Sequence, residues 1–161
     1  MKLKTNFFKI FIAFSAIFSC SVYAEDDYGC TVLLCLANPN GPKAVAECVP
    51  SINRLYNDLA HGRAFPTCVM SGDQNKNKAT NQFVNANYCH PSLLSRRSTE
   101  DTSPWFCEAT GAITVIVDGQ IQSRIWWGNK EIVESTESGF VDPNLSLKKA
   151  IDKYNKENNS Y

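Results

Sequence analysis

Apolar residues recur at three-and-four spacing through residues 43–59, at Val45, Cys48, Ile52, Leu55, Tyr56 and Leu59, while Lys43, Glu47, Asn53, Arg54, Asn57 and Asp58 take the other positions. That spacing predicts an amphipathic helix with one buried stripe. Pro50 lies inside the pattern and has no amide hydrogen, so a kink or a fresh helix start is expected near Val49 and Pro50. Upstream, Cys30-Thr31-Val32-Leu33-Leu34-Cys35-Leu36-Ala37 is almost wholly apolar and stops at the turn-rich Asn38-Pro39-Asn40-Gly41-Pro42. Its leucines and alanine favour a buried two-turn helix, and two helices joined by so short a turn pack antiparallel.

Alternation replaces helical spacing further on. Ala112-Ile113-Thr114-Val115-Ile116-Val117 and Gln120-Ile121-Gln122-Ser123-Arg124-Ile125-Trp126-Trp127 flank Asp118-Gly119, the dipeptide preferred by a two-residue type I′ hairpin. Unbroken pairing across that turn sets Ile116 opposite Ile121 and Ala112 opposite Ile125 on the face expected to cover the helices. It leaves Ile113 and Val115 facing Gln122 and Arg124 on the other. Trp127 is expected in the core and Trp126 partly exposed. Asp142-Pro143 reads as an N-cap and a first-turn proline opening a last helix, with Leu147, Ile151 and Tyr154 on one side and four lysines around it.

Between these elements the chain is polar. Residues 71–87 are rich in Asn, Gln, Lys and Gly, so the early part reads as a surface loop and residues 78–88 as a short helix. Residues 95–104 read as a second loop. The expected fold class is therefore α+β, mostly α-helical, with a disulfide-stapled N-terminal helical hairpin, a C-terminal β-hairpin and a terminal helix.

The first residues alter the cellular setting. A basic start with Lys2, Lys4 and Lys9, an apolar run over residues 10–18, and Val22-Tyr23-Ala24 at its end have the form of a cleavable signal peptide. The run is about half the ~20 residues a membrane span needs. Residues 1–24 are thus expected to be a signal peptide and residues 25–161 a single domain in the periplasm. A lipoprotein attached through Cys20 is the alternative, disfavoured by the bulky Phe18 where lipidation sites want a small residue. Either route leaves Cys30, Cys35, Cys48, Cys68, Cys89 and Cys107 for three disulfides.

Cys30 and Cys35 point to different faces of a helix and are not expected to pair with each other. Distances from the turn favour Cys30–Cys48, with Cys35–Cys48 close behind, and the later cysteines are expected to tether the polar middle to the hairpin. No C-x2-C pair occurs, so neither a zinc knuckle nor a thiol oxidoreductase motif is present, and no metal or cofactor is expected. The whole chain has a formal net charge of zero, and loss of the three leader lysines leaves acids in excess, which argues against a nucleic-acid partner.

Candidate chemistry is thin. The chain has two histidines: His61 at a helix end and His90 between Cys89 and Pro91. No catalytic residues are assigned. Glu47, beside Cys48, is the candidate acid of an alternative reading as a secreted cell-wall glycan hydrolase. Trp126 and Trp127 form a candidate partner-binding platform, because adjacent strand residues point to opposite faces.

Cys30-Thr31-Val32-Leu33-Leu34-Cys35-Leu36, Glu47-Cys48-Val49-Pro50 heading the helix, and Phe65-Pro66-Thr67-Cys68 together resemble the TrbM/KikA family of conjugal transfer proteins. The resemblance spans residues 29–68, about a quarter of the chain. It implies an exported, non-enzymatic accessory protein of plasmid conjugation, working with protein components of a type IV secretion and mating-pair apparatus in the periplasm. The family's second name suggests an exclusion or killing factor as a further alternative. No family site residues carry over.

Overall fold

The computed structural model describes residues 24–68, 76–97 and 103–158. The expected signal peptide and Cys20 lie outside them, apart from Ala24. Helix α1 spans Ala24–Leu36, longer than the two turns expected, and buries Val32, Cys35 and Leu36 at i, i+3 and i+4. Helix α2 spans Cys48–Ala60 and buries Ile52, Leu55, Asp58 and Leu59. It is a fresh start rather than a kinked rod. Pro50 falls in the first turn, where its missing N–H removes no intrahelical bond. The helix ends at His61, and Gly62 follows with φ +72°, a left-handed geometry that glycine adopts without strain.

Strands β1 (Lys78–Phe83), β4 (Ala109–Val117), β5 (Gln120–Gly128) and β6 (Ile132–Ser135) form one antiparallel sheet in the order β1-β4-β5-β6. Strands β2 (Leu94–Arg96) and β3 (Trp105–Cys107) pair as a separate ribbon after a 3-10 turn at Pro91–Leu93. The last helix, α3 (Pro143–Asn158), packs on that turn and on β2. Asp142 Oδ1 accepts from the Asn144 amide at 3.0 Å, the cap expected ahead of Pro143. The α+β class holds, but strands are about as common as helices, so the fold is not mostly helical.

Three elements correct the sequence reading. Residues 78–83 are an edge strand and not the start of a helix. Their polar composition suits an edge, and their backbone groups satisfy β4, whose apolar run would otherwise end the sheet unpaired. The expected loop at 95–104 is bracketed by the β2–β3 ribbon. The hairpin also departs from simple pairing. Asp118 and Gly119 have φ 51° and 78°, as a type I′ turn requires, and Ile116 does face Ile121. Beyond them the register shifts: Val115 pairs with Ser123, Ile113 with Ile125 and Ala112 with Trp126. Gln122 is the extra residue of a β-bulge.

That one-residue slip exchanges the faces of the residues from Ser123 to Trp127, up to a second register shift between Ala109 and Gly111. Ile113, Val115, Ile125 and Trp127 pack with Val32, Leu36, Ile52, Leu55 and Leu59 of the helices. Ala112 and Trp126 turn to the opposite face and pack with Cys89 and Leu93. The sheet is therefore covered on both sides at its tryptophan end, and the described residues form two cores.

The six cysteines after Cys20 are all paired. Cys35–Cys48 staples α1 to α2, and Cys89–Cys107 closes the second core. Cys30 joins Cys68, not Cys48, and so Cys68 ties back to α1 instead of reaching the hairpin. Antiparallel packing had suggested Cys30–Cys48; α1 instead presents Cys35 to α2 and Cys30 to the segment leaving it. Three disulfides mark a chain that folds in an oxidising, extracytoplasmic compartment. Among the described residues, no helix is long and apolar enough to cross a membrane.

Gly111 is a sensitive point of this packing, because a Cβ there would sit 2.5 Å from Trp127 Nε1. Gly111→Ala is expected to cost about 1–3 kcal/mol by forcing the indole out of place. Urea unfolding followed by tryptophan fluorescence checks this, and an unchanged midpoint with unchanged emission would refute the close approach.

Candidate functional site

Trp126 and Trp127 sit side by side on β5 and point into different cores, 0% and 2% exposed. The expectation of a partly exposed Trp126 is overturned. Its face of the sheet is not solvent but the ribbon, the 3-10 turn and their disulfide. Neither indole contributes surface for a partner in this fold.

On the helical side, Trp127 Nε1 donates to Asn81 Oδ1 at 2.8 Å, and its ring stacks on Tyr56 with centroids 5.4 Å apart. Tyr56 donates to Glu131 Oε2 at 2.8 Å, while Lys43 reaches Glu131 at 3.6 Å and lies 4.7 Å above the Tyr56 ring. Tyr56 is thus sandwiched between indole and ammonium. Burial first, and then the Glu131 charge, hold its phenol well above the usual tyrosine range. This assembly joins α2, the edge strand and the β5–β6 connection.

On the other side, Trp126 Nε1 donates to Glu134 Oε2 at 2.8 Å, and the Val141 amide donates to Oε1 at 2.7 Å. Arg124 reaches Oε2 at 3.4 Å and donates to the Val141 carbonyl at 3.0 Å. Glu134 is 3% exposed, so a buried charge is held by an indole, a guanidinium and a backbone amide. Both carboxylate oxygens are engaged as acceptors, and the network fixes the crossing from β6 to α3. It is an anchor, joining β5 and β6 to the segment that leads to α3.

His90 packs edge-on to Trp126, centroids 6.0 Å apart, and its Nδ1 accepts from the Ser92 amide at 3.1 Å to cap the 3-10 turn. Burial is the main cause that lowers its pKa, with the Arg124 charge acting the same way against Glu134. His61 is exposed and its Nδ1 lies 2.7 Å from the Asn57 carbonyl, a helix-end contact. Glu47 stands exposed immediately before α2 and makes no side-chain cap bond. The structure does not bring His61, His90 and Glu47 into one cluster.

Two further charge groups escaped the sequence reading. Asp58 is buried on α2 and is met by Arg63 at 2.6 Å and Arg54 at 3.6 Å, with the Arg54 guanidinium 3.9 Å above the Tyr28 ring. Burial and then the Asp58 charge raise the Tyr28 phenol. Glu108 pairs with Lys130 and accepts from Ser95 Oγ, and these bonds lower its pKa. The helical spacing places Asp58 off the stripe, yet α2 buries it beside Leu59. Glu134 lies in β6, a strand the sequence reading does not include, and pairing with Arg124 puts it on the Trp126 face.

Among the described residues, no group of three or more His, Cys, Asp or Glu side chains is arranged to hold a metal ion. The large apolar side chains that do reach solvent include Leu34 on α1, 75% exposed, and Phe83 on β1, 58% exposed. A contact surface for another protein has these to work with, and not the tryptophans.

Two outcomes follow from the buried network. Glu134→Ala removes the acceptor for an indole and an amide and leaves Arg124 without its counter-charge, so it is expected to cost about 3–5 kcal/mol. Glu134→Gln, which keeps an acceptor, should cost less; a loss below about 1 kcal/mol for the alanine variant in urea titration would show the network is not an anchor. His90 has a folded pKa below its unfolded value, so its contribution is complete above about pH 6.5 and is lost as pH falls. The melting temperature should therefore drop below about pH 6.5 in the native protein and drop less in His90→Asn, which caps without titrating. Equal profiles would rule this out.

No protein-family model matches the chain, and neither a curated protein nor a solved structure does.

Proposed function

We propose that this protein is an exported, non-enzymatic accessory component of plasmid conjugal transfer, acting in the periplasm through contacts with proteins of a type IV secretion and mating-pair apparatus. The observation that carries the reading is the fate of residues 29–68, the stretch that resembles the TrbM/KikA family. They form one unit: α1, the turn, α2 and the segment returning to α1, closed by Cys30–Cys68 and Cys35–Cys48. A resemblance confined to that stretch therefore falls on a piece with its own covalent closure, not on scattered positions.

The surface chemistry is that of a contact protein. Its paired charges hold elements together, and Glu47, the candidate acid for hydrolysis, stands exposed with no side-chain cap bond. Leu34 and Phe83 offer apolar contact area at two exposed positions. In this reading they replace the buried tryptophans as candidate partner-binding residues.

Deletion from the native locus is expected to lower donor transfer frequency, with restoration by the full chain and none by a form lacking residues 2–24. Leu34→Ser and Phe83→Ser should leave the melting temperature nearly unchanged, and at least one should lower transfer about tenfold, the scale of one lost interface anchor. Wild-type transfer in the deletion strain would overturn the proposal. Rescue by the leaderless form would overturn the periplasmic site, and Glu47→Gln leaving both transfer and peptidoglycan cleavage intact would rule out the hydrolase alternative.

A further inference from the structure

The three disulfides are not equivalent in what they hold. Cys35 and Cys89 are 3% and 0% exposed and sit among the side chains of the two cores. Opening either pair means repacking a core. Cys30 and Cys68 are both only half-buried, and Cys68 belongs to a stretch, residues 63–68, that lies in no helix or strand.

That segment is a strap across α1. At its start the Arg63 amide donates to the Asp58 carbonyl at 2.9 Å. Among the described residues, Ala64 to Thr67 make no backbone–backbone hydrogen bond. The strap lies flush on the helix: a Cβ on Gly29 would fall 2.0 Å from the Thr67 carbonyl oxygen. Phe65 is its one partly buried contact with the helical core. Between strap, α1 and the start of β1 lies a cleft of about 240 Å³, lined by Leu33, Phe65, Pro66, Asn77, Lys78 and Ala79.

We propose that Cys30–Cys68 is a redox-sensitive clasp, whose reduction by a dithiol releases the strap from α1 and opens this cleft while both cores stay folded. The thiolate of the dithiol attacks one sulfur, the protein S–S bond breaks and a mixed disulfide forms. The second thiol then displaces the remaining protein sulfur. Two electrons and two protons pass to Cys30 and Cys68, and the dithiol leaves as its own disulfide. Cys35–Cys48 still joins α1 to α2 throughout, so the helical pair does not open with the clasp. What changes is local: the packing of Phe65 and Leu33 between strap and α1 loosens, and Ala64 to Thr67, which make no backbone–backbone hydrogen bond among the described residues, gain freedom. This device stands apart from the conjugation reading and does not depend on it.

Protein purified in its oxidised form can be exposed to graded dithiothreitol, quenched with maleimide and mapped by mass spectrometry. Parallel samples are read by tryptophan fluorescence and by trypsin cleavage after Arg63, at the strap's start. Cys30 and Cys68 should label together at a dithiothreitol concentration about tenfold below that for the other four, a gap of roughly 30 mV in potential. Cleavage after Arg63 should rise in the same range with the fluorescence unchanged. Simultaneous opening of all three pairs, earlier labelling of another pair, or a strap that stays resistant after labelling would each overturn the clasp. The double variant Cys30→Ser/Cys68→Ser should be cut after Arg63 without reductant and keep native fluorescence; loss of native fluorescence would show a global staple and refute the proposal.

Discussion

The β4–β5 ladder changes register between Val115 and Ile116, and the interior is arranged around that change. Had the pairing from Asp118 and Gly119 run on unbroken, Arg124 and Trp126 would face Ile113 and the helices, and Ile125 and Trp127 would turn the other way. A guanidinium would then stand where Val32, Leu36 and Ile52 need an apolar partner. The extra residue at Gln122 puts Ile125 and Trp127 against the helices and sends Arg124 and Trp126 to the side where Glu134 waits. A local irregularity thus sorts an apolar core from a charged one.

The two faces solve burial by different chemistry. The helical face is filled by aliphatic side chains whose removal from water contributes on the order of 25 cal/mol per Å². Its one indole N–H is answered by Asn81 on the edge strand. The opposite face buries a carboxylate, a choice that contributes little net stability compared with an apolar replacement but penalises any arrangement that leaves it unpaired. Glu134 bonds Trp126 on the neighbouring strand and Val141 beyond the next turn, so the penalty falls on misplacing the crossing to α3. It specifies position more than it adds strength.

What was legible in the sequence was whatever repeated or had a dedicated residue type. The α2 stripe, the Asp-Gly turn, the Asp-Pro helix start and the use of all six later cysteines in disulfides could be read directly. The edge strand β1 was not, because an edge needs only one paired side and tolerates Thr, Asn and Gln where an inner strand would not. The bulge left no mark either, since Gln122 and Ser123 are both acceptable on a half-exposed strand. The tryptophan pair shows the limit for the candidate site. Adjacent strand positions correctly placed the rings on opposite faces, but whether the second face was covered depended on a ribbon whose strands are three residues each.

Disulfide placement follows from this division. A domain of this size with two small cores cannot hold both by apolar burial alone to the extent a larger one can. Cys35–Cys48 closes a short loop inside the first core, and Cys89–Cys107 closes another inside the second. By loop entropy alone each restricts the unfolded chain by about 3 kcal/mol. Cys30–Cys68 closes a longer loop and on that account restricts the unfolded chain slightly more, yet in the folded state it holds only a strap with no ladder of its own. Its contribution is greatest where the chain is unfolded and least where it is folded. Of the three, it is the one whose cleavage the native structure can survive.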